Sequence, residues 1–301
     1  MLNITKESDN TIEIVGTLKE VDIKTGTSKK GKDYASGKIV IQVDQEVEGK
    51  MINNDVVVNM MSMKYKKKDK ESDPDVINKV YESIVNIEQN FKSLASAENA
   101  SDATRVSVRG SISENIWISN DGLPMSNFQL SSNFINKAKD GLADKAVFEL
   151  SGVLAADPTE ETGKDGETTG RVLVKLVVVG YQGKANIIDL VAEEPGAAAH
   201  VLANWNKGDT VSATGVINMT YKTETVLIEQ GFGKPIEKTK TISKKELSIL
   251  GGSACGKDED ESYDAGDIGV KLGERKDYIA KLTSEKKEGE KPAAKKNDFG
   301  F

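Results

Sequence analysis

The chain has 301 residues, of which 37% are apolar and 30% charged, leaner and more charged than an average globular protein, so part of it is expected to stay unpacked. With 41 Lys plus Arg against 48 Asp plus Glu the formal charge is −7, which excludes a uniformly basic protein and confines any nucleic-acid surface to a local patch. A single histidine (His200) and a single cysteine (Cys255) exclude an intrachain disulfide and a Cys/His zinc cluster.

The first elements read as strands with period two. Thr11 to Val21 sets Ile12, Ile14, Gly16 and Leu18 on one face. Gly26 to Gly31 is a polar turn, and Tyr34 to Val43 follows with Ile39, Ile41 and Val43 on one face and Tyr34, Ser36, Lys38 and Gln42 on the other. Met51 to Lys66 is a third strand. The period then changes: Ile77, Val80, Tyr81, Ile84, Glu88, Phe91 and Leu94 recur at steps of three or four, predicting an amphipathic helix of about five turns. Ser72-Asp-Pro-Asp75 is its expected start, with a capping hydroxyl and a proline in the first turn. Arg105 to Ile112 and Pro124 to Phe134 complete the set. Strand, strand, strand, helix, strand, strand is the element order of an OB-fold, a five-stranded, partly open barrel.

The order recurs. Ile12-Glu-Ile-Val-Gly16-Thr-Leu18 aligns with Phe148-Glu-Leu-Ser-Gly152-Val-Leu154, and Ser36-Gly37-Lys38 to Val43 aligns with Thr169-Gly170-Arg171 to Leu176. Val106 to Ile112 aligns with Val211 to Ile217, with Gly110 opposite Gly215. Glycine inside a strand marks a bulge or tight bend, which small barrels need at their corners. The predicted fold is therefore mainly β, with two tandem OB-fold barrels at 1–140 and 144–235. The first carries a long interstrand helix, and in the second that helix shrinks to about Gly196 to Trp205. Residues 236–301 are expected to form an extension and a disordered acidic tail, because Asp258 to Asp267 carries six acids and no base and Ser284 to Asn297 is nearly all Lys, Glu, Gly, Pro and Ala. Thr239 to Leu250 has the pattern of one added edge strand, and Arg275 to Leu282 that of a short helix.

Catalytic chemistry finds little support. A nucleophilic triad would have to use His200, which stands in the bland stretch Pro195 to Leu202, where a structural histidine is the better reading. Gly26-Thr-Ser-Lys-Lys-Gly31-Lys32-Asp33 nearly spells a phosphate-binding loop, but Asp33 replaces the hydroxyl that ligates magnesium, and a strand follows where a helix is needed. No enzyme activity, metal or cofactor is expected. The N-terminus lacks a signal pattern, and the apolar stretch Leu173 to Val179 is too short to span a bilayer, so a soluble cytoplasmic protein without membrane contact is expected.

Basic residues instead cluster where the first barrel would expose its binding face. Lys29, Lys30, Lys32 and Lys38 lie on the first loop and second strand, and Lys64, Lys66, Lys67 and Lys68, with Tyr65 among them, close the third. With Tyr34 on the neighbouring strand, cations and flat rings would share one concave face, as sequence-tolerant single-strand binding requires. Lys64 to Lys70 fits a solvated loop as well. Trp117, between the fourth and fifth strands and flanked by two isoleucines, fits core or base platform equally. The second barrel offers Arg171, Lys175, Tyr181, Lys184 and Tyr221, thinner in charge. Only four of the 41 basic residues are arginine, which argues against sequence-specific duplex reading.

The chain ends Asn297-Asp-Phe-Gly-Phe301. With the lysine-rich first loop, the tandem layout and an acidic tail, it resembles the single-stranded DNA-binding proteins of bacteria and their phages. That family closes an acidic segment on a tip with a terminal phenylalanine that docks into replication and repair partners. The resemblance implies single-stranded DNA as ligand and replication or recombination proteins recruited through Asp298, Phe299 and Phe301, with self-association also compatible. Lys295 and Lys296 stand where the family has acids, Gly300 where it has proline, and there are two barrels where the common bacterial protein has one. Together these departures point to a phage-encoded version. The rival reading is a structural or adaptor protein, such as a virion or replisome scaffold, that uses its barrels to bind protein.

Overall fold

The computed structural model describes residues 7–47, 49–67, 74–228, 236–255 and 262–289. The first half contains β1 (Asn10–Thr27), β2 (Asp33–Val47), β3 (Lys50–Met63), α1 (Lys79–Asn90), β4 (Arg105–Ile118) and β5 (Pro124–Lys137). The second contains β6 (Lys145–Leu154), β7 (Thr159–Thr162), β8 (Thr168–Val179), β9 (Ala185–Ala192), α2 (Pro195–Asn204), β10 (Thr210–Ile228) and β11 (Ile236–Cys255), followed by α3 (Ala265–Gly289).

Strand pairing closes two rings. In the first, β1 pairs with β2, β2 with β3, β3 in parallel with β5, β5 with β4, and β4 with β1. In the second, β6, β8, β9, β11 and β10 follow the same circuit, again with one parallel step, Ser248 beside Val191. Glycines that align in the sequence hold matching corners. A Cβ at Gly16 would lie 2.3 Å from the Gln42 carbonyl oxygen, and one at Gly152 2.3 Å from that of Val177. At these bends the neighbouring backbone occupies the space a side chain would need.

The rings are fused rather than strung together. β1 pairs antiparallel with β6, Ile12 opposite Phe148, and one continuous core runs through both rings from Ile14 and Val58 to Leu176 and Ile217. Asn54, 1% exposed, clamps the junction: its amide donates to the Ile217 carbonyl at 3.0 Å and accepts from the Met219 N–H at 3.0 Å. The helices plug equivalent places, α1 through buried Ile84 and Ile87, and α2 through Ala198 and Val201 with Trp205 at its end.

Three expectations are corrected. α1 is shorter than its pattern suggests: it starts at Lys79 behind an Asn78 cap, whose side chain accepts from the Val80 N–H, and stops at Asn90. The expected cap Ser72 lies outside the described residues. The boundary at 235 is too early, because β11 begins at Ile236, pairs with β10 along its whole length and completes the second ring instead of adding an edge. Residues 265–289, expected in a disordered tail, form the 25-residue helix α3.

α3 is anchored differently at its two ends. Near its start, Ile268 and Leu272 pack with Val153, Val177 and Val179 of the second ring. Further along, Arg275 grips Glu114 of β4 with two nitrogens, one of them Nε at 2.7 Å, and Lys286 donates to the carbonyls of Ile118 and Ser119. The Glu114 side chain is 1% exposed. Burial alone would raise its pKa, but hydrogen bonds from Arg275 and the Ile187 N–H outweigh it and hold the carboxyl below the usual glutamate value. A depressed carboxylate stabilises the folded form above the ordinary glutamate pKa and loses that contribution as pH falls through the folded value. Arg275→Ala leaves Glu114 buried without its cation and is expected to cost about 3 kcal/mol in denaturant melts at neutral pH. The gap to the wild type should narrow as the pH is lowered into the acid range; a gap that is constant with pH would show that the pair adds nothing through Glu114.

Candidate nucleic-acid interface

The first ring presents a basic, ring-bearing groove. The turn from Ser28 to Lys32 is a hairpin, closed by Ser28 N–H to Lys32 carbonyl at 2.8 Å, and it hands β1 directly to β2. Its tip exposes Lys29, Lys30 and Lys32. Beside it, alternation along β3 turns Val56, Val58 and Met60 inward and leaves Met61 and Met63 exposed, 55% and 38%. Lys64 to Lys67 continues from that edge, with Tyr65 held by a lone bridge to Ile77.

These pieces enclose a depression of about 1070 Å³ that reaches from Gly31 and Lys32 past Met61 and Met63 to Tyr65, Lys66 and Lys67. A second depression of about 560 Å³ shares Met61 and Asn133 with it and carries on to Phe134 and Arg109. Together they form one groove.

Lys64 is tied down within it. Its ammonium lies 3.3 Å from the Asp33 carboxylate and 5.4 Å from the centre of the Tyr65 ring. The Asp33 hydrogen bond, then Tyr65, raise the Lys64 pKa, while the Thr27 hydroxyl at 2.8 Å and Lys64 lower that of Asp33. Of the other cations of the groove, Lys32, Lys66 and Lys67 are exposed, and Arg109, also exposed, stands 4.0 Å from Glu13.

The groove's most exposed ring is Phe134, 68% exposed and absent from the sequence-derived candidates. A bulge between Arg109 and Ser111 shifts the β4–β5 register and turns Phe134 outward, opposite Arg109. The Ser132 hydroxyl locks the bulge by donating to the Arg109 carbonyl at 2.6 Å and accepting from the Phe134 N–H at 2.9 Å. Gly110 permits it, since a Cβ there would lie 2.2 Å from the Ser131 carbonyl oxygen. The sequence carries one trace of it: Phe134 and Ile135 are adjacent apolar residues, so strict alternation must turn one outward, and the structure buries Ile135.

The other predicted residues divide. Tyr34 is half-buried, its hydroxyl 3.1 Å from where a Gly26 Cβ would stand, so the ring shields a bare glycine on β1 and has a structural task. Lys38 is exposed on β2, between Asp22 and Asn59. Trp117 belongs to β4 itself, opposite Met125 near the hairpin tip, and is 39% exposed, which places it neither in the core nor along the groove.

In the second ring Arg171 is committed to its own carboxylates, Glu246 at 2.8 Å and Glu161 at 3.1 Å, with Glu193 at 4.0 Å, and Lys175 to Asp189 at 2.9 Å. Tyr181 is 78% exposed on a tight turn, and the Lys184 ammonium sits 5.7 Å from the Tyr278 ring of α3. His200 is exposed on α2 beside Asn204. Lys68, Asp298, Phe299 and Phe301 and the side chain of Tyr221 lie outside the described residues.

The sequence signature of the YorF family matches residues 8–285. The chain belongs to the YorF family. No curated protein matches it. Among solved structures, this YorF protein is similar in fold to the wild-type single-stranded DNA-binding protein of Thermus aquaticus, at 12% identity and a TM-score of 0.51, over 85% of this chain and 98% of that one. A deletion variant of the same Thermus aquaticus protein matches at 13% identity with the same TM-score and coverage. Among the described residues no helix is long and apolar enough to cross a membrane, and no cluster of His, Cys, Asp and Glu is arranged to hold a metal ion.

The bulge offers a test of how the groove is built. Gly110→Ala must push the Ser131 carbonyl away and is expected to lower stability by about 1–3 kcal/mol in denaturant melts. Ser132→Ala should cost about 1 kcal/mol by removing the lock. Full stability in both variants would mean that the bulge is held by something else.

Proposed function

We propose that this YorF protein is a non-enzymatic, sequence-tolerant single-stranded DNA-binding protein whose two closed rings are tandem OB-fold barrels. The observation that carries the reading is the groove on the first ring, where Phe134, Tyr65, Met61 and Met63 are exposed between Lys32, Lys66 and Lys67. Exposed rings give bases a stacking surface that every base can use, and lysines follow the phosphates without reading sequence. The fold likeness to the Thermus aquaticus protein supports the same reading. In this proposal the protein coats strands exposed in replication or recombination, in a phage context, and Asp298 to Phe301 recruits partner proteins.

The second ring plays a different part. Its arginine, Arg171, is paired with Glu161 and Glu246, and it braces the first ring through the shared core and the β1–β6 pairing.

Anisotropy titrations with single- and double-stranded oligonucleotides of equal length test the reading. Single strands should bind far more tightly, and equal affinity for both, or none for either, would sink it. Phe134→Ala should weaken binding by roughly 1–3 kcal/mol. Its melting temperature should stay near that of the wild type, because an exposed ring contributes little to folding. Replacing both Lys66 and Lys67 with Ala should flatten the salt dependence by about 0.7 per lost phosphate contact. An unchanged slope would make these lysines bystanders.

A further inference from the structure

Between the rings lies a separate cleft of about 250 Å³, walled by Val57 and Leu130 from the first ring and Met219 from the second, with Lys245 at its rim. It is continuous with the groove, because Asn59 and Gln129 line both. Its width is fixed: β3 and β10, which face each other across it, are joined by the two Asn54 hydrogen bonds to Ile217 and Met219.

The charges around it are unevenly matched. Asp55 is paired with Lys19 at 2.7 Å, and Lys244 with Glu193 at 3.0 Å and Glu246 at 3.1 Å. Lys245 has no carboxylate within ion-pair distance among the described residues, and its ammonium rests 4.8 Å from the centre of the Phe128 ring. Partial desolvation beside the Phe128 ring holds that ammonium below the ordinary lysine pKa, while the side chain stays exposed and open to an incoming anion. Apolar walls, two amides and one unpaired cation suit a flat heteroaromatic ring attached to a phosphate.

We propose that this cleft is a second subsite for the DNA strand, which leaves the groove past Asn59 and Gln129 and places one unstacked base between Val57 and Met219 with its phosphate on Lys245. The proposal rests on the single-strand reading above and adds to it a path across both rings. It explains why the second ring need not carry its own basic face: the strand meets the second ring at this seam alone. A strand long enough to cross the seam therefore depends on Lys245, and one that fills only the groove does not.

The test uses the full chain with two oligothymidylates, one of about 8 nucleotides to occupy the groove and one of about 30 to cross the seam. Lys245→Ala should lose about tenfold in affinity for the longer strand and less than twofold for the shorter. Independently of any variant, photocrosslinking of the wild-type protein to a 4-thiothymidine-substituted long strand should label the peptide that contains Met219 or Lys245, and the short strand should label only groove peptides. If the wild type binds the long strand but the variant binds it equally well and no crosslink forms at Met219 or Lys245, the subsite is wrong and the groove reading survives. If the wild type binds neither strand, the single-strand reading falls and this proposal with it.

Discussion

Strand β1 divides itself among three neighbours: Asn10 to Val15 pairs with β6, Ile12 to Thr17 with β4, and Thr17 to Thr27 with β2. No flat strand can do this. The chain has to bend sharply where the partners change, and it bends at Gly16, the residue on which the Gln42 carbonyl closes. β6 solves the same problem at Gly152. Because the two bent strands pair with each other, neither ring has a free seam there, and their interiors merge into one core. The groove on the first ring is therefore set on a scaffold larger than the ring itself. Its side chains are held at fixed separations, as a surface that stacks bases requires.

How much of this the sequence disclosed follows from which forces leave a local trace. Period-two patterning and in-register glycines are written directly into the chain, so the strands around Ile12, Ile39 and Val108 were legible, as was the repeat of Gly16 and Gly110 in Gly152 and Gly215. β11 was not. Its first stretch, Ile236 to Ser243, is Lys- and Thr-rich, and it becomes strand through its pairing with β10, a long-range partner that composition does not reveal. α3 was legible only as a short helix at Arg275 to Leu282, for a related reason. Its buried face is small, with Ile268 its one fully buried apolar side chain among the described residues, and much of its hold comes from Arg275 and Lys286 reaching another domain. A helix held by ion pairs looks like a solvated tail. Phe134 was obscured by the bulge, which breaks the alternation that a strand reading assumes.

The charge distribution resolves an apparent conflict in composition. A chain of net charge −7 is a poor partner for DNA if its charges are spread evenly. They are not. In the second ring Arg171 and Lys244 share Glu193 and Glu246, while the first leaves Lys32, Lys66 and Lys67 exposed along one groove. What counts for a strand is the local field within about a Debye length, on the order of 10 Å at ordinary ionic strength, and there Lys32, Lys66 and Lys67 stand exposed while Asp33 is tied to Lys64. Acids elsewhere disfavour non-specific attachment without weakening the groove itself.

The same contrast between apolar and ionic anchoring decides where the structure can yield. Asn54 joins β3 to β10 through hydrogen bonds shielded from solvent, so the seam between the rings resists salt. α3 spans the rings from the other side, but only its beginning rests on apolar packing, where Ile268 meets Val177 and Val179. Beyond Leu272 its described anchors are Arg275 on Glu114 and Lys286 on the carbonyls at the β4–β5 hairpin, near Trp117. Arg275 on the buried Glu114 is shielded from salt, whereas the Lys286 contacts near the helix end are open to screening, and helix ends open before helix middles. Loosening of α3 therefore starts at its C-terminal half and frees the hairpin first, with its exposed Trp117, Leu123 and Met125, while the core shared by the rings stays intact. The part of the first ring with the most exposed apolar surface outside the groove is thus the part whose restraint is easiest to release.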